Sequence, residues 1–181
     1  MTKSIKKLMV MLLLVTAITS CNQGPTLQTY YVNNELQPGF SSFDVPTSVV
    51  NVEKVEMTDE QREAYNSVDK LNVLTFVLND TNANDYKVEL DKVNTILKNP
   101  KYEELMRGST TEGRFIVKFL GDSETSIDEL ILFGSASDKG FAIARILGDD
   151  MNVGKIFQLG EVLQNANIED SQLNGLTEFF N

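Results

Sequence analysis

Between residues 71 and 78 the chain reads Leu-Asn-Val-Leu-Thr-Phe-Val-Leu, six apolar side chains and two small polar ones without a charge. A continuous apolar run of this length, rich in β-branched and aromatic residues, predicts a strand buried on both faces near the centre of a sheet. Upstream, Thr58-Asp59-Glu60-Gln61 has the spacing of a capping box, in which Thr58 and Gln61 satisfy each other's backbone donors. A short, mostly polar helix is predicted there from 59 to about 68. Downstream, Tyr86, Leu90, Val93 and Leu97 recur at helical spacing and line one face of a helix from about 84 to 98, stopped by Asn99-Pro100. Strand-like runs follow at Tyr102 to Arg107, Arg114 to Leu120, Ile127 to Ser135 and Gly140 to Leu147, separated by Gly-, Ser- and Asp-containing turns. In the second run Phe115, Val117 and Phe119 alternate with Arg114 and Lys118, the pattern of a strand with one dry face and one wet face. Val153, Ile156, Phe157, Leu159 and Leu163 give a second amphipathic helix, and Leu173, Leu176, Phe179 and Phe180 an apolar C-terminal segment expected to pack back.

These elements predict a single α+β domain over residues 47–181: a mainly antiparallel sheet of one strand, a crossover helix and a four-stranded meander, with the helices packed on one face. Residues 21–46 read differently. They hold three of the four prolines (Pro25, Pro38, Pro46) with Gly24, Gly39 and many small polar residues, which is linker composition. About 20 flexible residues would span roughly 25 Å. Tyr30, Tyr31, Phe40 and Phe43 are larger than a linker needs, so Phe40 to Val52 is expected to dock on the domain, partly as an edge strand. A peptide-binding role for these aromatics is the alternative.

The first 20 residues have a different pattern again. Lys3, Lys6 and Lys7 precede an apolar stretch from Leu8 to Ile18, short of the ~20 residues that a spanning helix needs. The stretch ends in Ile18-Thr19-Ser20-Cys21, which resembles the bacterial lipoprotein box. The resemblance implies a signal peptide over 1–20, cleavage between Ser20 and Cys21, and acyl chains (palmitate among them) on Cys21. A secretory signal with a coincidental cysteine, or an uncleaved anchor, are the other readings. No acidic residue occurs between Cys21 and Glu35. Some bacterial groups use an acidic cluster after the lipidated cysteine as a surface-export tag, so its lack here points to the outer membrane facing the periplasm, with surface exposure as the alternative.

Removing that segment sharpens the charge. All 26 acidic residues lie beyond it and three of the 16 basic ones lie within it, leaving 13 against 26, a formal charge of −13. So acidic a chain offers no basic stripe for nucleic acid and is repelled by anionic lipid beyond its anchor. There is one cysteine, no histidine and no tryptophan. Internal disulfides, Ser-His-Asp or Cys-His nucleophiles, and zinc, haem or copper on imidazole or thiolate are therefore excluded. About 160 residues suffice for one packed core. Carboxylate acid/base work, a Ser/Lys pair and calcium on oxygen ligands remain.

Each remaining chemistry has a weak candidate. Asp80, Asn82, Asn84 and Asp91 fall at positions 1, 3, 5 and 12 of a calcium loop. Asp85 stands where the sharp turn wants glycine, Lys87 where an apolar residue packs, and Asp91 where glutamate is usual. Capping of the next helix through Asn82 or Asn84 is the plainer reading. Neither calcium nor any cofactor beyond the covalent lipid is expected. Glu103-Glu104 and Asp128-Glu129 sit on strands, which send neighbours to opposite faces. Asp149-Asp150 precedes a helix whose dipole it complements, and Ser137-Asp138-Lys139 lies in a hairpin turn that leaves the lysine solvated. No catalytic residue is expected.

The order of Phe40-Ser-Ser-Phe43-Asp-Val-Pro46, the apolar strand at 71–78, a helix, Tyr102-Glu-Glu-Leu-Met106 and a meander is similar to the small envelope lipoproteins that carry domain of unknown function 4252. The similarity covers roughly residues 40 to 163, and residues 165–181 depart from it. The resemblance implies no established activity and a loose association with envelope-stress systems. A non-enzymatic envelope module that binds a protein partner or scaffolds a complex is the expected function. A carboxylate-dependent hydrolase or a small-ligand or stress sensor is the alternative.

Overall fold

The computed structural model describes residues 24–49, 52 and 55–165. The predicted C-terminal segment with Leu173, Leu176, Phe179 and Phe180, and the side chain of Leu163, lie outside that range. Six strands, β1 (Phe40–Pro46), β2 (Val68–Val77), β3 (Glu103–Ser109), β4 (Gly113–Ser123), β5 (Ser126–Ala136) and β6 (Gly140–Met151), pair antiparallel in the order β1-β2-β6-β5-β4-β3. The predicted meander is present as β3 to β6. It closes onto β2 through β6, so β2 is an inner strand flanked by the marginal strand β1. Among the described residues four α-helices accompany the sheet: α1 (Leu27–Asn34), α2 (Asp59–Ser67), α3 (Ala83–Leu97) and α4 (Val153–Asn165). Thr58 and Gln61 form the predicted capping box at the start of α2.

The helices do not share one face. Leu130 belongs to one core and Ile131 to another, and consecutive strand residues point to opposite sides of a sheet. On one side α1 and α3 cover Leu74, Phe76, Ile131, Phe133, Phe141 and Ile143. On the other, Ala64 of α2 and Val153, Ile156 and Leu159 of α4 cover Val117, Phe119, Ile127 and Leu130. The expectation of a single helical layer is thus corrected, and the cause is visible in β5. Leu130-Ile131-Leu132-Phe133 is apolar at every position, so neither face can be left to water.

The domain also begins earlier than residue 47. α1 and β1 are built into it, with Leu27, Tyr30, Tyr31 and Val45 buried, so the linker reading of residues 21–46 gives way from residue 27 onward. Phe40 is in the edge strand, as expected, opposite Phe76, which is opposite Phe141. These three rings form an aromatic row across β1, β2 and β6: Phe40 and Phe76 meet edge-on with centroids 4.9 Å apart, and Phe76 stacks on Phe141 at 5.6 Å. Phe133 and Tyr86 close the cluster from β5 and α3 at 6.2 Å each. Gly140 opens β6 with φ at 122°, and a Cβ there would lie 1.9 Å from the Phe76 carbonyl oxygen, so only glycine lets β6 approach β2 at this end.

Phe141 is fully buried at the junction of these rings, and its truncation should cost about 3–5 kcal/mol. Phe157→Ala, at a residue 42% exposed on α4, should cost far less. Urea unfolding of both variants followed by circular dichroism checks the contrast; equal losses would mean that the aromatic row is not the main seat of the core.

Candidate functional site

The charged and amide groups that the structure brings together lie under α1. α1 starts at Thr26, whose hydroxyl accepts from the Thr29 amide at 3.1 Å while the Thr29 hydroxyl accepts from the Thr26 amide at 3.0 Å. This capping box uses threonine where glutamate or glutamine is usual. The helix then presents Leu27, Tyr30 and Tyr31 to the sheet. Leu27 N donates to the Tyr102 hydroxyl at 3.0 Å, fixing the first turn to the chain just before β3. The Tyr30 hydroxyl donates to Glu89 of α3 at 2.8 Å, and the Tyr31 hydroxyl donates to Asp44 of β1 at 2.7 Å.

Beneath these contacts a polar row crosses the sheet. Asp44 faces Asn72 and Asn72 faces Arg145 on successive strands. The Asn72 amide donates to Asp44, which therefore accepts from both Asn72 and Tyr31. Arg145 Nε donates to Glu129 Oε1 at 2.6 Å, and its Nη1 donates to the Gln28 side-chain oxygen of α1 at 2.8 Å. Both charges are inside, Arg145 2% and Glu129 6% exposed. Two ions taken out of water must be paired and hydrogen-bonded to be tolerated, and here the guanidinium meets a carboxylate on one side and an amide oxygen on the other.

The electrostatics favour holding over proton transfer. Burial first, and then the hydrogen bonds to Glu89 and Asp44, push the Tyr30 and Tyr31 hydroxyls above their usual pKa. Both therefore stay protonated near neutrality as donors and are not available as bases. The carboxylates they face are occupied as acceptors. At the other margin of the sheet, Arg107 holds the Glu104 carboxyl below the usual range through a two-point contact, both atoms at 2.5 Å.

The residues singled out from the sequence go elsewhere. Ser20 and Cys21 lie outside the described residues. Asn84 and Asp91 fall inside α3 while Asp80 and Asn82 precede it, so 80–91 is not the continuous loop that a twelve-residue calcium motif requires. Asn82 occupies the cap position of α3, yet its side chain turns back, accepting from Asn79 N at 2.8 Å and donating to the Val77 carbonyl at 2.9 Å. Among the described residues no group of three or more His, Cys, Asp or Glu converges on a metal position. Asp128 is exposed and Glu129 buried, the opposite-face outcome expected of neighbours on a strand. Asp149 and Asp150 lie within β6, just before its end at Met151, and the start of α4 is capped by Asn152, which accepts from Lys155 N at 3.1 Å. Asp150 instead takes a Ser126 hydroxyl hydrogen bond at 2.7 Å with φ at 49°. Ser137 to Lys139 is the exposed turn between β5 and β6.

Gln28, Asp44, Asn72 and Arg145 were not singled out from the sequence. The available signal was charge inside apolar strands: Glu129 in Ile-Asp-Glu-Leu-Ile-Leu-Phe and Arg145 in Phe-Ala-Ile-Ala-Arg-Ile-Leu, opposite in sign and on adjacent strands.

The family model described as domain of unknown function (DUF4252) matches residues 31–159, more than two thirds of the chain. The chain belongs to this family. The DUF4252 match takes in all six strands, Tyr31 of α1, Tyr102 just before β3, and both members of the Arg145–Glu129 pair. No curated protein and no solved structure matches the chain. Of the buried polar row in this DUF4252 chain, Asp44, Asn72, Glu129 and Arg145 lie within the matched residues and Gln28 just before them.

Two outcomes follow for the row. Arg145→Met or Glu129→Leu alone should destabilise by about 3–5 kcal/mol because each strands a buried charge, whereas the double variant should lose much less than the sum. Urea unfolding of the cycle measures this; additive losses would show that the two side chains act independently. For the tyrosines, the folded chain keeps protons that the unfolded chain releases above about pH 10. Their contribution is then complete below that pH and falls as pH rises beyond it. Unfolding free energies at about pH 9 and pH 11 should drop more steeply for the native chain than for Tyr30→Phe/Tyr31→Phe; parallel slopes would remove the tyrosines as the cause.

Proposed function

We propose that this DUF4252 chain is a lipid-anchored lipoprotein of the outer membrane, facing the periplasm, whose domain is a non-enzymatic binding or scaffold module. The observation that carries the reading is Ile18-Thr19-Ser20-Cys21, placing the chain's one cysteine directly after a basic and then apolar segment. The domain supports a binding role through its β3 margin. β3 has a partner strand on one side, its residues are mostly exposed, and Met106 on it and Phe115 on β4 are 48% and 45% exposed. A marginal strand with open backbone groups and flanking apolar side chains suits an added extended segment from another protein. The Phe115 ring lies against Gly108 of β3, where an added Cβ would meet it at 2.4 Å. A carboxylate hydrolase draws no comparable support, since the buried carboxylate Glu129 is already engaged by Arg145.

Metabolic labelling with palmitate should mark the native chain and not Cys21→Ala. In-cell crosslinking should then capture a protein partner with the anchored chain, and Met106→Lys should lose it without a change in thermal unfolding. Labelling that persists in Cys21→Ala would sink the anchor, and no capture above background from an abundant, folded chain would sink the partner.

A further inference from the structure

The docking of α1 sets which surface of the domain lies next to the anchor. From Cys21 to Leu27 is six residues, at most about 22 Å fully extended. That is well under the roughly 35 Å width of a domain of this size. Leu27 is fixed to Tyr102, so the point of emergence does not wander. Residues 22–34 contain no charged side chain at all. From 83 to 102, α3 and its exit carry four lysines (87, 92, 98 and 101) against three acidic residues. Of those three, Glu89 is turned inward to the Tyr30 hydroxyl and Lys92. Lys87 and Lys98 are exposed, and Lys101 lies over the Tyr102 ring at 4.8 Å. The layer also exposes Val32 by 55%, Leu36 by 91% and Val88 by 54%. The opposite layer has the other sign, with Asp59, Glu60 and Glu63 against Arg62 on α2.

We infer that the outer side of α1 and α3 is a membrane-contacting surface, resting on an anionic phospholipid headgroup layer with Val32, Leu36 and Val88 at the interface and the lysines toward lipid phosphate. This rests on the lipid-anchor reading. Exposed aliphatic side chains flanked by lysine on a helical layer are what an interfacial surface requires. The short tether supplies the proximity that such weak contacts lack alone. The formal charge of −13 predicts repulsion for the chain as a whole; on this side the fold places an uncharged helix beside four lysines that are met by exposed Asp85 and Asp91 and by Glu89, which pairs with Lys92, so that local repulsion is far smaller.

The chain has no tryptophan, so a single introduced indole reports its own surroundings. The full chain carrying Val32→Trp, and separately Phe157→Trp on the opposite layer, is produced in a bacterium with lipoprotein processing. Each is reconstituted into vesicles of phosphatidylglycerol and brominated phosphatidylcholine. Intact mass establishes first whether lipid is present; its absence defeats the anchor reading by itself. In that case Cys21 of the same chain is joined to a maleimide lipid, and the surface is tested unchanged. The expected result is a blue shift and loss of fluorescence at Val32→Trp but not at Phe157→Trp, reduced by Lys98→Glu/Lys101→Glu or by high salt. Equal quenching of both probes, or quenching of neither, would overturn the inference, the latter leaving the layer to a protein partner or to water.

Discussion

The pairing of β5 with β6 carries apolar side chains to both faces at once, and the remaining architecture answers that constraint. Ile131 and Phe133 point one way and Leu130 the other, while Phe141 and Ile143 on β6 share the first side. A sheet with two dry faces needs two covers, and the chain supplies them from separated stretches: α1 and α3 for one side, α2 and α4 for the other. Of these covers α1 has only eight residues, so neither helix propensity nor length secures it. It is secured by tertiary contact: three buried apolar or aromatic side chains and a set of directed hydrogen bonds.

Those hydrogen bonds give the buried row its significance. An apolar patch in place of Arg145 and Glu129 would hold a helix without specifying how it lies. A guanidinium that must satisfy both Glu129 and Gln28, with Asp44 accepting from Asn72 and Tyr31, admits few orientations of α1. The row thus exchanges some stability for register, one of the recognised uses of buried polar groups. The lysine-bearing layer that results is fixed in its direction relative to the point where the chain leaves the domain.

Much of this was readable beforehand, and the boundary between what was and was not is physical. α2 carries its own start in Thr58 and Gln61, α3 its own periodicity and Pro100, and the meander its turn residues; each is a local signal. The helical layers were misassigned to one face because Phe115, Val117 and Phe119 alternate cleanly. Ile116 and Leu120 between and beyond them nonetheless pack on the other core. α1 was hidden for a different reason. Gln, Thr and Asn dominate it, and what makes it a helix of the domain is Tyr102, Glu89 and Arg145, at sequence separations of 75, 59 and 117. The Arg145–Glu129 pair was half visible, as two misplaced charges whose meeting only the strand register reveals.

The separation of Gln28 from Arg145 by 117 residues has a consequence for the order in which the molecule is made. A chain that emerges N-terminus first produces α1 before any surface on which α1 rests. Until β6 arrives, α1 lacks its contact with Arg145 and the Phe141 and Ile143 side chains it helps to cover, and its own helix is too short to persist in water. The first described helix to appear therefore waits for a late strand before all its contacts are made.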